Sequence, residues 1–505
     1  MDCKYIIVQA GGRGSRMEQL TANKPKALVP IGNRPMLFHL FDKFPDKYFI
    51  IISDYKSDVM RKYLATFANV KYLIVETHGK KGTCSGIEQA TKLIPNDTSF
   101  MLIWSDLVLP EDFKCPVVDN DYVGLSKNFT CRWRYLNGRF DEIRSDEFGV
   151  AGLFIFQNKD FIQNVPEEGE FVKWLQSQNH KFNTLNLYKT KEYGLISEWT
   201  KDNSPTDNIE NRCRPFNQLV VTKDYIEKRG INEQGRQLAK REKEWYKSVE
   251  KYGFKLIPQI YSYEPFRMQK IDGKNVFEYD LRDDEKKRIL DKIVEALRTL
   301  HSYDSRATDY FSIYDAYIKK TFDRLNKIRD LIPHADERFI VVNGKKCRNI
   351  FFNQDLLIKK ISNLRCEQFV LIHGDNTFSN ILLDKNKRPI LIDPRGYFGY
   401  TELYGDPLYD WAKLYYSLRG NYDKFNLKRF KLIINETDVQ LNIESNNWEH
   451  LCDYYCNIIN GEVNQEQLDL VHAIIWLSLT TYAWEDYDSI CGAFYNGLYY
   501  LEEVL

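Results

Sequence analysis

The chain has 505 residues, 43% of them hydrophobic, and its 71 Lys plus Arg balance 71 Asp plus Glu. That length exceeds what one hydrophobic core usually supports, so two or three compact units are expected. Zero net charge removes the broad positive field that a sequence-independent grip on nucleic acid or anionic lipid needs. The ten cysteines are scattered, and Cys452 and Cys456 lack a second Cys/His pair at zinc spacing, so they read as reduced thiols. The N-terminus enters the apolar run Tyr5 to Val8 without a basic leader or cleavage site. Ala473 to Ala483 falls short of the roughly 18 residues that cross a bilayer. A cytoplasmic protein is expected, with no nucleic-acid partner and no membrane insertion; its oligomeric state is open, a homo-oligomer included.

In chain order, Tyr5 to Val8, Tyr48 to Ile52, Val70 to Val75 and Phe100 to Trp104 are short apolar runs separated by amphipathic segments, which predicts a parallel sheet covered by helices. From about 120 to 200 the pattern turns hairpin-like: Trp133 to Leu136, the turn Asn137-Gly138, Arg139 to Ile143, then Val150 to Phe156. Lys201 to Pro215 is polar, with two prolines and no sustained periodicity, and reads as a linker. Strand-like runs Phe216 to Val221 and Tyr225 to Lys228 then precede a helical stretch from Glu233 to Lys251. Two more apolar runs follow, Leu256 to Tyr261 and Phe266 to Ile271. Beyond Asp280 the chain reads as mostly helical, interrupted by Gln368 to Ile372 and Pro389 to Asp393.

The segment VQAGGRGSRMEQLTANKPKALVPIG follows a predicted strand and opens a predicted helix, the setting a phosphate-binding glycine loop requires. Gly11, Gly12 and Gly14 let backbone N–H groups approach a triphosphate. Arg16 and Lys26 add positive charge beside it, where a developing phosphorane is stabilised. Gly82 and Thr83 make a second glycine turn at a helix start. Asp106 sits at the carboxyl end of an apolar strand, where ligands of open α/β sheets gather, placed to hold Mg²⁺ on the triphosphate. The blander reading is a tight turn, a solvated Lys26 and a capping Asp106.

The order GGxGxR, KPKAL, GT and strand-Asp resembles the sugar-phosphate nucleotidyltransferase superfamily, including its phosphocholine-activating members. The resemblance implies a Rossmann-like α/β domain over residues 1–210, attack of a substrate phosphate on the α-phosphate of an NTP, and release of pyrophosphate. Carried over by position, Arg16 and Lys26 contact phosphates, Gly82 and Thr83 help recognise the nucleoside, and Asp106 binds metal. Glu192, in EYG with Gly194, stands where the family supplies a second acidic ligand, a departure from its Asp-x-Gly. Ser105 stands where sugar-activating members have Gly.

In the second half, LIHGDNTFSNILLDKNKRPILIDPRGYFG places His373, Asp375 and Asn380 in one loop and Asp393 after an apolar strand. A phosphotransferase needs a carboxylate to take the hydroxyl proton and oxygen ligands to hold Mg²⁺ against ATP. Asp375 is the candidate base, Asn380 and Asp393 the candidate metal ligands, and His373 reads as structural. Asp406 and Asp410 read as cap and scaffold. The aromatic end, Trp476, Tyr482, Trp484, Tyr487 and Tyr495, reads as core in preference to a cage for a quaternary ammonium.

This stretch resembles the aminoglycoside phosphotransferase and choline kinase family. The resemblance implies an α+β protein-kinase-like bilobal domain over 211–505, with an N-lobe at 216–275 and a C-lobe at 276–505. It also implies an ATP-binding Lys paired with a helix Glu. Lys228 and Glu242 match, with Lys223 and Glu244 as competitors; Leu238, Glu242 and Trp245 share one helix face. MQKIDGKNVF resembles the interlobe hinge, and DPRG departs from the choline kinase pattern. A kinase makes a phosphate ester and a nucleotidyltransferase consumes one, so the expectation is a bifunctional enzyme using Mg²⁺, ATP and an NTP, CTP favoured, on a small hydroxyl metabolite for surface polysaccharide. The alternatives are a sugar or polyol kinase feeding another NTP, and a nucleotidyltransferase carrying a regulatory pseudokinase.

Overall fold

The computed structural model describes residues 3–203 and 217–505, so the expected linker lies outside the described residues from 204 onward. The chain divides into two compact units, Met1–Ser204 with Glu485–Asp488, and Pro205–Trp484 with Ser489–Leu505.

Among the described residues, the first unit is built on a nine-stranded mixed sheet. Tyr5–Gln9 is central, parallel to both Tyr48–Ser53 and Phe100–Trp104. Its Ile6, Ile7 and Val8 are all buried, as a strand covered on both faces requires. Lys71–Glu76 extends the parallel part beyond Tyr48–Ser53, and Gly149–Phe156 joins antiparallel to Phe100–Trp104. The hairpin Arg134–Leu136 and Arg139–Asp141 turns through Asn137 and Gly138, both at positive φ, the conformation that Asn-Gly favours. Helices Met36–Lys43 and Ser57–Phe67 bury Leu37, Leu40, Met60 and Leu64. The glycine loop opens a 3₁₀ turn, Ser15–Thr21, rather than the expected α-helix. Glu18 sits there at φ 50° and ψ −119°, outside helical space, so the turn cannot propagate.

The second unit is bilobal. Its small lobe is a four-stranded sheet ordered Asn217–Val221, Tyr225–Gly230, Phe266–Gln269, Ile260–Tyr263, packed against the helix Glu233–Lys251. Asn232 caps that helix, its side-chain oxygen accepting from Gly235 N at 2.8 Å, and Trp245, Tyr246 and Val249 form its buried stripe. The hinge segment leaves the sheet after Gln269 and re-enters structure at Gly273–Asn275, antiparallel to Ile381–Asp384 of the large lobe. Helices Asp283–Ser302, Pro407–Leu418, Gln465–Leu479 and Tyr487–Leu501 dominate that lobe. Trp476 and Tyr495 are fully buried, so these two aromatics are core; Tyr482 is exposed.

One sheet in this lobe goes beyond the mostly helical expectation: Lys345–Arg348, Phe339–Val342, Val439–Ile443 and Phe430–Ile434. Val439 and Leu441 point inward while Gln440 and Asn442 are exposed, a two-residue period that marks a half-buried strand.

In the first unit, Gly152 lies mid-strand at φ 91°, and a Cβ there would sit 1.8 Å from the Trp104 ring. A Gly152→Ala change is expected to destabilise this unit by about 3 kcal/mol through backbone strain and overpacking, read as a lower midpoint in urea unfolding followed by tryptophan fluorescence.

Candidate functional site

In the first unit the parallel pairing of Gln9 with Trp104 brings two strand ends side by side, and with them the glycine loop and Asp106. Ser105 N donates to Gln9 O at 3.2 Å, fixing the turn that presents Asp106. The short pairing of Lys191–Glu192 with Leu107–Val108, and Tyr193 N donating to Asp106 O at 3.0 Å, set Glu192 beside it. Lys26 Nζ meets Asp106 Oδ2 at 2.5 Å. Burial first, then the Asp106 charge, pushes the Glu192 carboxyl above its ordinary value, with Lys26 and Arg16 opposing. Four of the candidate residues, Arg16, Lys26, Asp106 and Glu192, therefore share one electrostatic site.

Glycine is demanded at two points here. Gly14 stands at φ 66°, and a Cβ on it would come 2.9 Å from Lys26 Cβ. A Cβ on Gly194 would come 2.1 Å from Glu192 Oε1 and 3.4 Å from Arg16 Nη2. Gly12 differs: a Cβ there meets no atom within 4 Å, so no described residue fills the space beside that backbone. Gly11 faces Asp54. The second glycine turn is tied down by Gln9 Nε2, which donates to Thr83 O at 2.9 Å and Ser85 O at 3.1 Å. The Thr83 hydroxyl accepts from Phe171 N at 2.8 Å, and Gly82 lies so close to Gly169 that no side chain fits. Both residues thus shape the loop, and the following helix Ile87–Lys92 starts only after Gly86.

In the second unit, Lys228 Nζ lies 2.7 Å from Glu242 Oε2 and 2.7 Å from Asp393 Oδ1. Glu244 instead makes a surface pair with Lys247 at 2.8 Å. Burial pushes Glu242 up to about 7, with Lys228 opposing; burial alone would lower Lys228, but Asp393 and Glu242 outweigh it and hold the ammonium charged. Asn380 Nδ2 donates to Asp375 O at 2.7 Å and Oδ2 at 3.0 Å. Ile392 N donates to Asn380 O at 3.0 Å, so the candidate base and both candidate metal ligands share one backbone frame.

Asp410, fully buried, accepts His373 N at 2.9 Å and Gly374 N at 2.7 Å. His373 is neutral: burial lowers its pKa, Nδ1 accepts from Asp375 N at 3.3 Å, and Nε2 donates to Ile392 O at 3.0 Å. Asp406 caps Pro407–Leu418 and accepts the Tyr317 hydroxyl at 2.9 Å. Sequence reading passed over Lys413, whose ammonium lies 2.9 Å from Asp375 Oδ1. Burial alone would raise Asp375; Lys413 and Arg395 outweigh it and hold the carboxyl below its usual range. The missed signal is that Lys413 follows Asp410 by one helical turn.

Both sites fit Mg²⁺ by donor chemistry. Asp106 Oδ1 is buried without a hydrogen-bond partner. The amide nitrogen of Asn380 is spent on Asp375, leaving its oxygen as an acceptor. Among the described residues no three His, Cys, Asp or Glu gather as a closed cage; one or two oxygen donors, completed by substrate phosphates, is the arrangement Mg²⁺ commonly takes.

Residues 5–120 match the family model described as nucleotidyl transferase, and residues 221–431 the one described as phosphotransferase enzyme family. Three curated relatives illustrate the likeness. The bifunctional protein GlmU of Methanococcus maripaludis is 24% identical over 42% of this chain and 55% of its own. The glucose-1-phosphate cytidylyltransferase of Salmonella typhimurium is 25% identical over 22% and 53%. The mannose-1-phosphate guanyltransferase of Aspergillus oryzae is 31% identical over 21% and 32%. The chain thus spans about half the length, or less, of the curated relatives it matches. Among solved structures, HddC from Yersinia pseudotuberculosis covers 39% of this chain and 97% of its own at 18% identity and TM-score 0.33. The CTP:phosphocholine cytidylyltransferase of Streptococcus pneumoniae covers 40% and 97% at 15% identity and TM-score 0.33.

The Gly194 contact has a direct consequence. Gly194→Ala is expected to displace the Glu192 carboxylate and slow the nucleotidyl transfer proposed below at least roughly tenfold, about 1.4 kcal/mol of barrier, with the melting temperature held within a few degrees. Unchanged pyrophosphate release would remove Glu192 from the site.

Proposed function

We propose that this chain, which joins an N-terminal nucleotidyl transferase domain to a C-terminal kinase-like phosphotransferase domain, is a bifunctional transferase acting in two consecutive steps. In the first, R-OH and ATP give R-OPO₃²⁻, ADP and a proton. In the second, that phosphate ester attacks the α-phosphate of an NTP, giving NDP-R and pyrophosphate. The reading rests on one observation: each unit by itself gathers a lysine and carboxylates at strand ends, Lys26 with Asp106 and Lys228 with Asp393.

In the kinase step Asp375 orients the acceptor hydroxyl and takes its proton as the bond to phosphorus forms. Its lowered pKa keeps it ionised at neutral pH, ready to accept. Lys228, positioned by Glu242, neutralises ATP phosphates, while Asn380 and Asp393 are the residues to hold Mg²⁺. In the transfer step, Arg16 and Lys26 stabilise charge on the triphosphate, the Gly11, Gly12 and Gly14 backbone cradles it, and Asp106 with Glu192 are the metal-holding pair. Mg²⁺ supplies charge neutralisation on both triphosphates.

CTP is the favoured NTP, in line with the cytidylyltransferase among the relatives, and the product serves surface polysaccharide synthesis in the cytoplasm. The guanyltransferase among the relatives supports a second reading, a sugar or polyol kinase feeding another NTP. No helix among the described residues is long and apolar enough to cross a membrane.

The test follows ADP and pyrophosphate with ATP, Mg²⁺, each NTP and a panel of alcohols and their phosphates. Asp375→Asn is expected to cut ADP formation at least roughly 100-fold while leaving pyrophosphate release from a supplied phosphate ester intact. Asp106→Asn should do the reverse. If Asp375→Asn left the full R-OH to NDP-R conversion untouched, the second domain would be a regulator instead of a kinase.

A further inference from the structure

The side of Asp375 away from Asn380 carries more positive charge than the kinase chemistry uses. Lys320 Nζ lies 5.5 Å from the centroid of the Tyr409 ring, Arg395 Cζ 5.8 Å and Lys413 Nζ 5.9 Å. Three cations from three segments thus surround one aromatic ring. Arg324 follows Lys320 by one turn on the helix Lys320–Ile328, a like-charge spacing that destabilises a helix unless something offsets it.

Partners for these charges are scarce. Lys413 is paired with Asp375. Arg395 donates only to hydroxyls, those of Tyr409 at 2.9 Å and Tyr397 at 3.1 Å, and Arg324 donates to the Ser478 carbonyl. Among the described residues, Lys320, Arg324 and Arg395 have no carboxylate within ion-pairing distance. Asp315, an acid whose charge acts on Lys320, bonds the Tyr400 hydroxyl. Burial first, then Arg395, pushes both Lys320 and Arg324 below their ordinary values. The helix is also locally unwound here, with a π-helical turn at Tyr314–Lys319 leading directly into Lys320, an irregularity that commonly marks functional positions.

Half-buried cations without counter-ions are costly, and an anion is the ligand that removes the cost. The position decides which anion. Asp375 Oδ2 faces Asn380, on the side of the metal ligands, and Oδ1 faces Lys413. The cluster therefore lies on the Lys413 face of the base, turned away from Asn380, and that is the face taken as the acceptor side. We infer that the hydroxyl acceptor of the phosphotransferase domain is itself an anion, carrying a carboxylate or phosphate bound by Lys320, Arg324 and Arg395, and not a quaternary ammonium alcohol. This rests on the kinase reading above and names the substrate class for it.

The experiment uses the full chain with ATP, Mg²⁺ and matched acceptors: glycerate, glycerol 3-phosphate and ribose 5-phosphate against glycerol, ribose and choline. ADP release measures turnover, and melting temperature with a non-hydrolysable ATP analogue measures binding. The charged members are expected to show kcat/KM at least roughly tenfold above their uncharged counterparts and to raise the melting temperature where the others do not. Glycerate against glycerol 3-phosphate tells a carboxylate site from a phosphate site. Lys320→Met and Arg324→Met should raise KM for the anionic acceptor at least roughly tenfold, with KM for ATP within about twofold and Lys320→Arg restoring the wild-type value. Preference for choline or an uncharged alcohol, equal melting shifts from charged and uncharged members, or a rise in KM for ATP alone would each overturn the inference. Loss of the ATP-dependent melting shift in the wild type would instead overturn the kinase reading itself.

Discussion

A lysine ammonium held between carboxylates from distant parts of the chain is the constraint on which the phosphotransferase site depends. Lys228 comes from the small sheet, Glu242 from the helix beside it and Asp393 from the large lobe, yet one nitrogen meets both acids at 2.7 Å. Such a cluster is a poor device for stability. Attraction between unit charges at 4 Å is worth about 4 kcal/mol at an effective dielectric of roughly 20, while each buried ion forfeits several kcal/mol of hydration. Burial pushes the Glu242 carboxyl up to about 7 despite Lys228 beside it, the direction that cost dictates. The arrangement makes sense as positioning: it aims one cation at the tip of Asp393, the carboxylate proposed to hold metal against ATP.

The rest of that site is a hydrogen-bonded frame hung from Asp410. Its carboxylate takes the two backbone N–H groups of His373 and Gly374 and also His301 Nε2 at 3.1 Å. The same loop is tied to the helix bearing Glu242, because Trp245 Nε1 donates to Ile372 O at 2.7 Å. The candidate base, the candidate metal ligands and the lysine therefore share one hydrogen-bonded support, which is what a phosphoryl transfer governed by positioning needs.

Chemistry carried by contiguous sequence was legible; chemistry assembled by packing was not. Asp375, Asn380 and Asp393 sit in one motif around a short strand, so spacing alone located them. Lys228 and Glu242 were reachable because a strand and a helix face each offered few candidates, and the exposed surface pairing of Glu244 separates it from its rival. Glu192 is harder, since its place beside Asp106 comes from a two-residue antiparallel pairing with Leu107–Val108 that no local pattern announces. The sheet joining Phe339–Val342 to Val439–Ile443 was hidden for the same reason: each strand is four or five residues long and its partner is far away in sequence. Lys320 and Lys413 look like ordinary solvated helix charges until tertiary packing brings both to the Tyr409 ring.

That division has a mechanical side, seen at Arg395. It stands two residues beyond Asp393 in DPRG, and its backbone N donates to His373 O at 2.9 Å. Gly374, at φ 80°, leaves only 3.0 Å between the position of an added Cβ and Arg395 Cβ. The catalytic loop thus sets where Arg395 stands, and the guanidinium is then fixed by two tyrosine hydroxyls rather than by an acid. An arginine held in this way keeps its full charge available to a ligand while losing little freedom when the ligand arrives. The Arg395 N–H to His373 O bond therefore ties the proposed acceptor-binding arginine to the loop of the candidate base, and the departure of DPRG from the choline kinase pattern falls at that junction.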